Sequence, residues 1–257
     1  MLWLDRLLSS RDLVIALVQR DLMVRYRRSS IGFLSTMLQP LLTMMVLQVA
    51  FSSLFRFNVA NYPVYVLSGV LFWNFLQQSV VTSMTSLRTN ARLLKKVPVP
   101  KEVFPIASVL SGVVNLLLAM GPLLVILIVT GHPLRLALLF LPVSIVIATT
   151  FVLGAGLLLA PLAAFFHDVI EMVGVALMML MFLTPVIFPL AIVPERHAWI
   201  VRINPICPIL EVFRAPIFDG KLPSAATLLL AGGIALVMLG IGWAFFRRSS
   251  DRIAFYL

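Results

Sequence analysis

Acidic residues are scarce in this sequence. Ten Asp and Glu stand against twenty Lys and Arg, and charged residues of both signs make up 12% of the chain, where soluble domains carry roughly a quarter. All ten acids (Asp5, Asp12, Asp21, Glu102, Asp168, Glu171, Glu195, Glu211, Asp219 and Asp251) fall outside the long apolar runs or at their ends, and the histidines His132, His167 and His197 fall in loops. Ion-coupled transporters keep ionisable groups inside the membrane, and intramembrane hydrolases need a base or a set of metal ligands. These runs offer neither. A phosphate loop of the form G-x-x-x-x-G-K-[ST] is missing as well, because Gly220-Lys221 is followed by Leu222 and lacks the leading glycine. The chain is therefore expected not to be an enzyme, and uphill movement of a cargo would draw its energy from another subunit. Cys207 is the only cysteine, which excludes an intrachain disulfide. Period-2 alternation is absent, which argues against a membrane barrel. No cleavable signal peptide is expected, since the first apolar stretch begins near Ile31 behind a charged segment.

What is abundant is apolar sequence: 61% of residues are hydrophobic and the mean hydropathy is +1.07. A helix crossing a bilayer needs about 20 mostly apolar residues. Six stretches qualify: Ile31 to Phe55, Tyr62 to Val81, Val103 to Thr130, Leu136 to Leu162, Ile170 to Leu190 and Ala225 to Phe246. The expected fold is an all-α integral membrane protein, a bundle in which each helix satisfies its own backbone groups. Residues 1–30 form a separate segment. Leu13, Val14, Leu17, Val18 and Leu22 pair at i, i+4 among arginines, which reads as an amphipathic helix in the membrane interface. Residues 31–257 form the six-helix domain. Span five ends in Pro185, Pro189 and Pro194, which cannot continue a straight helix. The loop after it stays apolar, as expected of short re-entrant or interfacial helices on the outer face. Gly156, Ala160 and Ala164, and likewise Gly240 and Ala244, recur every four residues and mark close helix approaches.

The cations are placed asymmetrically. Fourteen lie before span one, between spans two and three, or after span six, and six lie on the opposite side. The positive-inside rule then puts both termini in the cytoplasm of a multi-pass plasma-membrane protein. It also explains the net charge of +10 without nucleic acid. The segment Ser83 to Pro100 reads as the main basic loop, either a lipid-hugging stretch or the docking place of a protein partner.

Neutral polar groups do lie inside the spans: Gln39 in span one, Asn74, Gln77 and Gln78 in span two, and Asn115 in span three. Amides facing lipid are expensive, so these face the bundle or a cavity. They bond other helices, or they line a path. Amides together with the rings of Phe72, Trp73 and Phe75 suit a sugar chain, the amides bonding hydroxyls and the rings stacking on apolar sugar faces.

Several segments together resemble the ABC-2 type permeases that export polysaccharides. They are Arg20-Asp21-Leu22, Arg25-Tyr26-Arg27-Arg28-Ser29, Ile31-Gly32-Phe33-Leu34, Gln39-Pro40-Leu41, Ser68 to Phe75, Leu93 to Glu102, Asp168-Val169, Thr184 to Pro189 and Asn204-Pro205. His167 departs from the pattern, which has an arginine before the aspartate. The resemblance implies a homodimer working with two copies of a separate ATP-binding subunit, which holds the ATP and Mg, so that this chain carries no cofactor. It implies a cargo of glycan on a polyprenyl diphosphate, with the O-antigen exporters of the Gram-negative inner membrane as the nearest group and capsule or teichoic acid exporters beside them. Arg25, Arg27 and Arg28 are then candidates for the lipid diphosphate. Arg88, Arg92, Lys95, Lys96, Lys101 and Asp168 are candidates for coupling to the ATPase, and Pro185, Pro189, Asn204 and Pro205 for an outer gate. The rival readings are an exporter of a small amphiphile, a membrane enzyme of glycan-lipid assembly and a passive pore.

Overall fold

The computed structural model describes residues 10–27, 34–49, 61–96, 99–133, 135–190 and 193–256. Among them the chain is helical, with no strand. The helices are α1 (Arg11–Arg27), α2 (Leu34–Val49), α3 (Tyr62–Thr89), α4 (Ala91–Lys96), α5 (Val103–Val129), α6 (Leu141–Phe165), α7 (Asp168–Leu183), α8 (Ala198–Ile203), α9 (Ile206–Arg214) and α10 (Ala225–Tyr256). A 3-10 turn, Leu136–Phe140, leads into α6, and a π turn, Ala215–Asp219, follows α9. Four segments are long and apolar enough to cross a bilayer: Tyr62–Thr89, Val103–Val129, Leu136–Phe165 and Ala225–Ile253. The helices in the regions expected to hold spans one and five, α2 and α7, have 16 described residues each.

α3 is the central helix. Of its most apolar window 78% is buried against protein, whereas the corresponding windows of α5, α6 and α10 are buried to 22%, 33% and 17% and turn most of their apolar surface outward. It is also the only one of the four that carries several amides. Sequence patterning places its end near Val81, but the helix runs on to Thr89. Thr82, Thr85, Ser86 and Thr89 donate their hydroxyls to carbonyls three or four residues back, 2.7–3.1 Å away. These residues therefore bring no unpaired hydroxyl into the bundle. Much of the segment expected to be a basic loop is thus helix, completed by α4.

Glycines set the closest approaches. A Cβ on Gly112 of α5 would overlap the Ser79 hydroxyl of α3, and one on Gly156 of α6 would overlap that of Ser83. A Cβ on Gly242 of α10 would run into the backbone carbonyl of Gly154 in α6. The expected small-residue contact at Gly240 and Ala244 is not made, because both are exposed. The α6–α10 seam runs through Gly154 and Gly242 instead, on the far side of α10, since residues two apart point about 200° apart.

Two apolar clusters result. The larger gathers around α3, and a second lies at the end of the bundle that carries the basic residues. α1 belongs to the second. Leu17 is buried there with Leu87, Phe104, Leu157, Ala160 and Phe246, and Leu13, Val14 and Val18 pack beside it. The apolar stripe read from the i, i+4 pairs thus covers protein, while Ile15, Met23 and Val24 remain exposed. Arg20 fixes the register by donating to Asn90 at 2.7 Å and to Asp21.

A candidate ligand cleft and a clasp at the opposite end

A cleft of about 400 Å³ opens between α3, α5 and the end of α1. α3 contributes Leu71, Asn74, Phe75, Gln77, Gln78, Val81 and Thr82, mostly at the i, i+3, i+4, i+7 spacing that puts residues on one helix face. α5 contributes Gly112, Asn115, Leu116 and Ala119, and α1 contributes Arg25. No acidic residue lines it. Tyr26 donates its hydroxyl to Asn115 at 2.6 Å, which moors the end of α1 on the middle of α5. Asn74 and Gln78 lie roughly 16–22 Å from the basic end of α3 at about 1.5 Å per residue, and the cleft extends from there down to Thr82. Among the described residues the only ion pairs are Arg11–Asp12 and Arg20–Asp21, and Arg25 is exposed. The cleft therefore offers one cation and several amides to a ligand, with the largely buried Phe75 in its wall.

The structure thus brings together Asn74, Phe75, Gln77, Gln78 and Asn115 with Arg25. Phe72 and Trp73 sit elsewhere. Both are buried in the core, Phe72 against Phe213 at 5.6 Å between ring centres, and the Trp73 indole N–H has no acceptor among the described residues. Arg28 lies outside the described residues, as do the side chains of Arg27 and Gln39.

The coupling candidates divide in two. Arg92, Lys95 and Lys96 are exposed on α4 and Asp168 is exposed in the first turn of α7. Arg88 and Lys101 are engaged internally. Arg88 donates to the Ala164 carbonyl at 3.2 Å and meets Nδ1 of His167, tying α3 to the corner between α6 and α7. Lys101 reaches the Ser250 carbonyl on α10.

At the opposite end, α7 stops at Leu183 because Thr184 precedes a proline and adopts an extended conformation (φ −105°, ψ 137°). Asn204 holds that break. Its amide donates to the Thr184 hydroxyl at 2.9 Å, and its side-chain oxygen accepts the Ile206 N–H at 3.0 Å, which satisfies the first backbone donor of α9. Asn204→Ala removes both bonds, and the expected cost is about 1–2 kcal/mol. The thermal midpoint of the purified chain should fall by a few degrees, and an unchanged midpoint would mean that Asn204 does not hold the break.

The four carbonyls that follow are taken by side chains from other elements. Arg214 donates to Pro185 at 2.7 Å and to Val186 at 2.9 Å. Tyr62 donates to Ile187 at 3.0 Å, and Tyr65 to Phe188 at 2.9 Å and Pro185 at 3.2 Å. The Arg214 guanidinium also lies over the Tyr65 ring, 3.9 Å from its centre, a favourable place for a cation. A Cβ on Gly69 would occupy the space of this guanidinium. Arg214 is 7% exposed, and burial pushes its pKa below the ordinary value while Tyr65 and Asp219 counter that shift. Burial also raises Asp219, against the pull of Arg214, Lys221 and His132. A second cavity, of about 700 Å³, lies beside this clasp, and Pro185, Pro189, Arg202, Cys207, Glu211 and Arg214 are among its lining residues. Of the residues expected at an outer gate, Pro185 and Pro189 line this cavity, Asn204 braces the break and Pro205 leads into α9; Arg214 reads from sequence only as a loop cation, and Tyr62 and Tyr65 only as residues of span two.

Comparison with known proteins decides the family. Residues 12–218 match the ABC-2 type transporter family. This chain belongs to that family. Among its curated relatives, the ABC-2 chain is 30% identical over 246 residues to the O-antigen export system permease protein RfbA of Myxococcus xanthus, covering 95% of each protein. It is 27% identical over 232 residues to the protein of the same name from Klebsiella pneumoniae, covering 90% of each. It is 22% identical over 242 residues to the polysialic acid transport protein KpsM of Escherichia coli, covering 93% of each. These relatives of the ABC-2 chain are named as permease and transport proteins, not as enzymes.

Proposed function

We propose that this chain is the transmembrane permease subunit of an ATP-driven exporter that carries a polyprenyl-diphosphate-linked polysaccharide, O-antigen in the first place, from the cytoplasm across the bacterial inner membrane. The observation that carries this reading is the alignment, over 95% of its length, with a protein named as an O-antigen export permease. The cleft supports it chemically. Arg25 supplies a cation suited to phosphate oxygens, and Asn74, Gln77, Gln78 and Asn115 bond hydroxyls beside the Phe75 ring. In this reading Arg27, Arg28 and Gln39 extend that surface, and Phe72 and Trp73 shape it from behind.

The working unit is two copies of this chain with two ATP-binding subunits, which supply ATP and Mg. Both termini are cytoplasmic. α2 and α7 complete six spans, residues 1–30 lie at the cytoplasmic interface, and residues 31–257 form the membrane domain. Arg92, Lys95, Lys96 and Asp168 face the ATPase, while Arg88 and Lys101 transmit its movement to α6 and α10. Nucleotide-driven rigid-body shifts of these helices open the path. α8 and α9 are short re-entrant elements, with Pro185, Pro189, Asn204 and Pro205 at an outer gate. A capsule glycan is the second reading, favoured by likeness to a relative named as a capsule polysaccharide export inner-membrane protein.

The test is the ATPase activity of the purified complex. It should rise severalfold with a lipid-linked glycan and stay level with amphiphilic drugs. Stimulation by drugs alone would turn the assignment to a small-amphiphile exporter.

A further inference from the structure

The segment Thr184 to Phe188 is held in an unusual way. Its carbonyls at 185, 186, 187 and 188 accept from Arg214, Tyr62 and Tyr65, side chains of two other elements. Inside the segment one backbone bond is made, from the Val186 N–H to the Thr184 carbonyl. Val186 is wholly buried. Arg214 has no ion-pair partner among the described residues, and its Nε is buried without an acceptor there. Buried backbone carbonyls are nearly always paired within secondary structure. Here the pairing runs through side chains, which can let go without unravelling a helix. The adjoining cavity gives the segment somewhere to move.

We infer that Arg214, with Tyr65, is the positioning residue of a releasable clasp that keeps the outer end of the path shut by gripping the carbonyls of Pro185 to Phe188. This deepens the export reading and rests on it for the identity of what opens the clasp. Releasing buried donors without new partners is costly, so opening needs replacement acceptors beyond the Glu211 and Asp219 carboxylates that line the cavity. A sugar chain entering the cavity supplies them as hydroxyls. Arg214 then passes from backbone carbonyls to the polymer and back, and the clasp shuts again behind the last sugar.

Cys207 reports on the clasp directly. It is the only cysteine, it lines the same cavity, and it is buried. Burial, together with Glu211, pushes its thiol up to about 12 against the pull of Arg214, so at rest it should resist labelling, and Tyr65→Phe, which leaves Arg214 in place, is the cleaner variant. Cells carrying the complete transporter are treated with a membrane-impermeant maleimide from outside. Tyr65→Phe keeps the ring and removes both hydroxyl bonds, while Arg214→Gln removes the cation. Either variant is expected to label at Cys207 at least tenfold faster than the unaltered chain at rest, at equal abundance. In the unaltered chain labelling should rise during ATP turnover, and in the variants it should already be high without it. If Arg214→Gln fails to accumulate, Tyr65→Phe decides. Resting labelling of Tyr65→Phe equal to that of the unaltered chain overturns the clasp, and labelling of the unaltered chain that ignores turnover overturns its release. The resting comparison needs no glycan, so it stands or falls separately from the identity of the cargo.

Discussion

Arg25→Glu should lower export of the glycan at least a hundredfold while the protein still accumulates in the membrane. Arg25 lines the cleft between α3 and α5, is exposed, and has no carboxylate partner among the described residues. Reversing it therefore breaks no internal ion pair there, and the fold has little to lose. The ligand has much to lose. A diphosphate carries at least two negative charges, and unit charges 4 Å apart near a protein surface interact by about 4 kcal/mol. Exchanging attraction for repulsion easily exceeds the roughly 2.7 kcal/mol that a hundredfold change in rate represents. Arg25→Lys keeps the charge and loses the fork that matches phosphate oxygens, so its defect should be intermediate. The measurement is surface glycan per unit of membrane-extracted protein. Export within threefold of normal for Arg25→Glu would remove Arg25 from contact with the cargo.

Gly242→Val should abolish accumulation of the folded chain. A Cβ at Gly242 would collide with the backbone carbonyl of Gly154, and backbone cannot rotate aside as a side chain can. The two helices would have to part along the α6–α10 seam. The cost should exceed the ~1–3 kcal/mol of ordinary core overpacking, a large share of total stability. Gly240→Val, two residues away and open on its Cβ side, serves as the control. Detergent-extracted monodisperse protein should vanish for the first variant and persist for the second. Equal yields would mean that the seam is looser than the structure makes it.

Much of the architecture is legible in the sequence because lipid imposes one strong rule, that long apolar runs become helices. The runs beginning at Tyr62, Val103, Leu136 and Ala225 are found as such. Helix ends are less legible. α3 outruns its apolar stretch because Thr82, Thr85, Ser86 and Thr89 return their hydroxyls to their own helix, which hydropathy scores as polar loop. α10 likewise runs on through Arg247, Arg248 and Arg252 to Tyr256. The four-residue spacing of small residues found Gly156 but chose Gly240 and Ala244 in place of Gly242, since spacing carries no information on which face meets a neighbour. Amides inside spans single out Asn74, Gln77, Gln78 and Asn115, which the structure brings to one cleft. Nothing local distinguished the buried aromatics Phe72 and Trp73 from the lining ring Phe75. Arg214 was invisible for a different reason. Its partners are carbonyls 28 and 29 positions away, and a carbonyl has no residue type to read.

The central claim is that this chain carries a lipid-linked glycan outward on another subunit's ATP. It is tested most directly by deleting the gene, restoring it in trans, and following the glycan by leaflet and by surface labelling. The account predicts that full-length glycan accumulates on the cytoplasmic leaflet, disappears from the surface, and returns on complementation only when the partner ATPase is active. Unchanged surface glycan in the deletion strain would contradict it.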